Sequence, residues 1–169
     1  MGYVHDTAMS QFIAPEVAQF SAGTWTDAVA SNVWSKQKAA ADAAAVVKIP
    51  IKIPQNSASQ KGAYLRSIDI WFNVTVAALD SLAATIYKAT LPADGAAYVA
   101  PSSQAFSYDA GHDTAAERID VDEHKMTLTL TTPFWLDEDD EVYVELAVDG
   151  ALTSVFDYYG ARANYTLRI

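Results

Sequence analysis

Three histidines and one acidic run hold most of what could do chemistry in this chain. His112 stands in Asp109-Ala110-Gly111-His112-Asp113 and His124 in Asp122-Glu123-His124, with His5 near the start. Imidazole beside carboxylate is the donor set of a zinc site. The i,i+4 spacing that would put two histidines on one helix face is absent, and nothing in the sequence brings them together. Asp137-Glu138-Asp139-Asp140-Glu141 offers hard oxygen ligands of the kind calcium takes, with Asp137, Asp139 and Asp140 as its candidates. No glycine follows where a calcium loop turns, and contiguous side chains on a turn point apart. A solvated hairpin turn that also discourages edge pairing is the preferred reading. No Gly-x-Ser-x-Gly occurs, and the absence of cysteine removes thiolates and disulfides. The expectation is a protein without catalytic residues, metal or cofactor.

Aromatics are the other chemistry-bearing group. Trp71, Trp135, Tyr158 and Tyr159 fall where alternation leaves them exposed or at strand ends. Such rings anchor protein interfaces, cover the ends of a sandwich, or stack on sugars, and the interface reading ranks first. Met9, Phe12, Ile13, Val17 and Phe20 join them as expected interface residues, because a terminal stretch this apolar must lie on its own domain or on a neighbour.

Composition removes several classes. A net charge of −10 with eleven scattered basic residues argues against direct nucleic-acid binding. No apolar run approaches the ~18 residues of a membrane span. The N-terminus lacks a basic region followed by an apolar stretch, and Asp6 stands where myristoylation needs Ser or Thr, so the chain is expected to be made without an export signal. Asn73-Val74-Thr75 and Asn164-Tyr165-Thr166 match the glycosylation acceptor, which without a signal peptide reads as chance.

What must position these residues is a set of strands. Met126, Leu128 and Leu130 alternate with Lys125, Thr127, Thr129 and Thr131; Val142, Val144, Leu146 and Val148 alternate with Glu141, Tyr143, Glu145 and Asp149. Ala161, Ala163, Tyr165, Leu167 and Ile169 repeat the pattern, as do Ile68, Ile70, Phe72, Val74 and Val76 within 63–76. This period demands sheets with one wet face. Further strands are expected within 24–38, over 45–54, 82–90 and 124–132, and in short pieces at 98–99 and 105–108. Pro50 and Pro54 place strand 45–54 at a sheet edge. Asp113–Arg118 suits one helical turn capped by Asp113 or Thr114, and Gly160 separates strands 152–159 and 161–169. Eight or nine strands packed as two antiparallel sheets make an all-β sandwich over residues 23–169, jelly-roll-like or Ig-like. Residues 1–22 form an extended N-terminal arm.

The chain resembles small β-sandwich structural proteins of phage-type particles. The resemblance rests on the unsignalled start, the apolar arm, the cysteine-free Ala- and Thr-rich sheets, and the segments Gly111-His112-Asp113-Thr114-Ala115-Ala116-Glu117-Arg118 and Pro133-Phe134-Trp135-Leu136-Asp137. It implies a capsid, decoration, ring or tube subunit in a virion, whose partner is itself. Deleting the arm should then abolish assembly and leave a folded domain. If subunits met across Glu141, Glu145 and Asp149, assembly should also strengthen in acid or with calcium. The rival reading is a carbohydrate- or surface-binding β-sandwich module, with Trp71, Tyr158 and Tyr159 on one face.

Overall fold

Alternation becomes two antiparallel sheets in the computed structural model, which describes residues 5–30, 33–55, 62–92 and 94–168. Twelve strands occur among them: β1 (Asp6–Ile13), β2 (Gln19–Ser21), β3 (Trp25–Ala30), β4 (Val33–Lys38), β5 (Ala43–Pro50), β6 (Tyr64–Thr75), β7 (Ser81–Thr90), β8 (Val99–Gln104), β9 (Phe106–Tyr108), β10 (Glu123–Trp135), β11 (Asp140–Gly150) and β12 (Val155–Arg168). The large sheet runs β3-β4-β12-β6-β10-β9, with β1 also on β12; the small sheet runs β2-β5-β11-β7-β8. All pairs are antiparallel. The chain is therefore an all-β, two-sheet sandwich.

The core is the inward half of each alternation. Ile68, Ile70, Phe72 and Val74 of β6 and Met126 and Leu128 of β10 are wholly buried, opposite Val47 and Ile49 of β5 and Val144 and Leu146 of β11. Each fully buried side chain of this size contributes about 2 kcal/mol from removal of apolar surface from water. The alternation fails at Val76, expected to face in. It has a φ of 72° and is exposed, because the chain turns there out of β6.

The N-terminal segment departs most from expectation. From Asp6 to Ser21 it is not a separate arm but supplies a strand to each sheet. β1 pairs with β12 from Asp6↔Arg168 to Ile13↔Ala161, and after a 3-10 turn at Pro15–Val17, β2 pairs with β5. Ile13, Pro15 and Ala18 are buried in the domain's own core. Alternation is hidden in β1 because nearly all of its side chains are exposed, so neither face is marked by an apolar row. The same segment changes β5: its expected open edge is covered at Val46, Val47 and Lys48 by β2.

Gly160 does not end a strand. β12 continues through it with a register shift between Tyr158 and Gly160, at a φ of 124° open to glycine and strained for other residues. A side chain there would meet Ile13 O at 2.7 Å and the Phe12 ring at 2.8 Å, so the missing Cβ is what lets β1 lie against β12. The expected helical turn is present at Ala116–Arg118, where Thr114 and Glu117 exchange reciprocal hydrogen bonds of 3.0 and 3.3 Å. Residues 31–32, within the stretch 24–38 expected to hold strands, residues 56–61 and Ile169 lie outside the described residues.

Candidate functional site

A groove lies on the outer face of the small sheet. Every strand of that sheet contributes to it: Gln19 from β2, Lys48 and Pro50 from β5, Tyr143 and Glu141 from β11, Ala89 from β7 and Pro101 from β8. Leu91 and Tyr98, from the β7–β8 connection, complete the lining. Its volume is about 430 Å³, within the ordinary range for a small-molecule site. Inward neighbours fix the outward side chains. Val142 and Val144 on either side of Tyr143 are buried, so the pleat must send the Tyr143 ring to the wet face. Tyr87 lies opposite Tyr143 across the ladder and stacks on it at 5.2 Å and 28°, which holds the Tyr143 ring in place.

Among the described residues the groove mixes one cation with carboxylates. Lys48 Nζ lies 5.6 Å from the Tyr143 ring centroid and 3.5 Å from Glu145 Oε2. Glu141, on the same face, lines the groove itself. Glu141, Glu145 and Asp149 share the outer face of β11, as the alternation predicts. Tyr98 is 68% exposed and presents an uncovered ring at the opposite side from Gln19 and Lys48. A ligand here meets aromatic faces flanked by donors and acceptors, with little net charge.

Of the residues singled out in the sequence, few lie together. Tyr158, expected to be exposed, is wholly buried: the bulge at Gly160 shifts the alternation so that Tyr158 joins Phe72 and Phe156 in the core. Burial also pushes its hydroxyl far above the ordinary tyrosine range, and the oxygen has no protein hydrogen-bond partner. Trp71 and Phe12 do meet, with ring centroids 6.3 Å apart on the outer face of the large sheet. Arg162 stands 4.8 Å and Lys125 5.9 Å from the Trp71 ring, so cations occupy the surroundings a sugar would need. Tyr159 borders a smaller cavity of 200 Å³ with Trp71, Glu123 and Lys125; burial, partly opposed by Asn73, raises its hydroxyl. Trp135 packs on Tyr64 at 4.9 Å, and Phe20 on Trp25 at 4.7 Å. Ile13 is buried, while Met9 and Val17 are exposed.

The acidic run also resolves. Asp137 is exposed and Asp139 half-buried, whereas Asp140 is buried and structural. Asp140 accepts from Lys88 at 2.8 Å, from Thr90 Oγ1 at 3.1 Å and from the Asp137 amide at 2.9 Å. Among the described residues no group of three His, Cys, Asp or Glu side chains could hold a metal ion. His112 and His124, which no spacing motif joins, are in contact: His112 Nε2 lies 3.2 Å from His124 Nδ1.

No protein-family model and no curated protein matches the chain. It is similar to solved β-sandwiches. TmCBM61 in complex with beta-1,4-galactotriose aligns with a TM-score of 0.34 at 8% identity, over 96% of this chain and 88% of that one. The family 11 carbohydrate-binding module from Clostridium thermocellum in complex with a beta-1,3-1,4-mixed-linked tetrasaccharide gives 0.34 at 10%, over 96% and 89%. A carbohydrate-binding module of the β-sandwich superfamily with promiscuous specificity gives 0.35 at 8%, and the aligned region spans 56% of its chain. At such scores these likenesses carry no argument about what this chain binds.

Proposed function

We propose that this protein is a non-catalytic β-sandwich module that binds a neutral saccharide in the groove on its small sheet. The observation that carries the reading is the groove's lining: Tyr143 and Tyr98 beside Lys48, Gln19 and Glu141. A pyranose offers one apolar C–H face and a rim of hydroxyls, and recognition takes an aromatic face with donors and acceptors around it. Glu145 beside Lys48 and Glu141 in the groove offset the only cation there among the described residues, which favours an uncharged sugar over an acidic one.

Native affinity electrophoresis through gels containing soluble neutral polysaccharides tests this. Wild-type protein should be retarded by at least one of them. Tyr143→Ala should weaken binding by about tenfold or more, a loss of about 1.4 kcal/mol, with an unchanged far-UV circular dichroism spectrum. Trp71→Ala should bind as wild type. Retardation by none of the polysaccharides, or binding lost with Trp71→Ala and kept with Tyr143→Ala, would overturn the assignment.

Self-association, including the virion subunit expected from the sequence, is the second reading. What favours it is the outer hairpin of the large sheet, where Val29, Val33 and Trp34 are 61%, 49% and 47% exposed. Light scattering on the purified chain decides it: a monomer of about 18 kDa at micromolar concentration, across salt and pH, removes it.

A further inference from the structure

The buried contact between His112 and His124 lies outside the groove and poses a proton count. His112 Nδ1 is 2.8 Å from Asp109 Oδ1, His112 Nε2 is 3.2 Å from His124 Nδ1, and His124 Nε2 is 3.1 Å from the Asp120 carbonyl oxygen. A carboxylate and a carbonyl only accept, so each outer contact needs its proton on the imidazole. The inner contact needs one more, on either ring. Three contacts thus require three ring protons, and two neutral imidazoles carry two. Left with two, the site would hold two acceptors face to face where both rings are less than a tenth exposed. Given four, two imidazolium N–H groups would oppose each other at 3.2 Å.

We propose that His112 and His124 form a proton-binding site: the folded protein holds one shared proton between the two rings, and this proton fastens the 109–122 connection onto β10. Both ends of the relay are anchored. Asp109 Oδ2 accepts the Thr127 amide of β10 at 2.5 Å and Oδ1 the Gly111 amide at 3.0 Å. Burial alone would raise the Asp109 carboxyl, but these amides and the His112 ring outweigh it and hold the group below its usual range, so the anchor is an anion. Phe72 of β6 stacks on His124 at 4.5 Å and 14° and screens the pair from water.

The surrounding charges favour a cation. On the connection itself, Asp120 Oδ1 lies 3.6 Å from His124 Nε2, and the Glu117 carboxylate acts on His112. Arg118 opposes them, though its guanidinium is committed to the carbonyls of His112, Asp113 and Leu82. From β10, Glu123 and Lys125, and from β12, Tyr159, border the cavity that His124 also lines. Asp109, Asp120, Glu117 and Glu123 thus face Arg118 and Lys125. A metal ion would use the same two inner nitrogens, but no third side-chain ligand stands with them among the described residues.

Long-range proton–nitrogen correlation spectra of the native, metal-free protein at about pH 7 read the site directly. Three of the four ring nitrogens of His112 and His124 should carry protons or share one. Unfolding by urea at about pH 8, above the ordinary histidine range, should release about one proton per chain, and the H112Q/H124Q double variant should release none at these positions. Two bare inner nitrogens with no proton release would overturn the proposal. So would zinc binding by the two rings at micromolar concentration that a chelator reverses, since the site would then be a metal site. The spectra need no substitution, so a variant that fails to fold leaves the test intact.

Discussion

Replacing Gly160 by alanine tests how the N-terminal strand is held. The new Cβ would stand 2.7 Å from Ile13 O and 2.8 Å from Phe12 Cζ. The Phe12 ring is 59% exposed and can rotate away at small cost. The Ile13 carbonyl is backbone and must retreat by about 0.7 Å to reach ordinary contact, pulling on a side chain only 4% exposed. A φ of 124° adds about 1–3 kcal/mol for a residue with a Cβ. The clash has a ceiling, because the chain can instead release Ile13, whose burial contributes about 2–3 kcal/mol. The sum is about 3–6 kcal/mol, or roughly 6–24 °C in Tm for a domain of this size. Thermal and urea unfolding followed by circular dichroism measure it. Amide exchange across β1 should accelerate, and Ile13→Ala should cost much less in the Gly160→Ala background than in wild type, since the two substitutions share one contact. A Gly160→Ala protein within about 0.5 kcal/mol of wild type, with β1 protected as before, would refute the reasoning.

Deleting residues 1–22 removes a strand from each sheet together with the buried Ile13, Pro15 and Ala18. The truncated chain should melt well below the full one by circular dichroism, whereas an unchanged midpoint would restore the detachable arm. Tyr158→Phe removes a buried hydroxyl with no protein partner and should raise stability by about 1 kcal/mol in urea titration. Burial raises the Asp157 carboxyl against the partial relief of Gln37 and Ser35. The folded state therefore prefers the protonated acid, and stability falls as pH climbs from the ordinary carboxylate range through the raised value. Asp157→Asn, which keeps an acceptor for Gln37 and Ser35, should gain stability at pH 7 and lose that advantage by about pH 3 in paired urea titrations.

The legible part of this protein is what two-residue periodicity can carry. Met126, Leu128, Val144, Leu146, Ala161 and Ala163 are assigned to the core by their own neighbours in sequence, and all are buried. A period of two states which face a side chain takes, provided one face is marked. β1 has no marked face, so pattern alone left it an arm, and the bulge at Gly160 moved Tyr158 from the surface to the core by shifting the phase. Which strands become neighbours is a different question. The groove draws Gln19, Lys48, Tyr98 and Tyr143 from four distant stretches, and the histidine pair meets because the 109–122 connection folds back onto β10. Alternation within a strand is local, whereas pairing order is settled by the joint burial of all the strands. The sequence alone therefore determined the sandwich and most of its core, and only the tertiary structure decided where a ligand or a proton could sit.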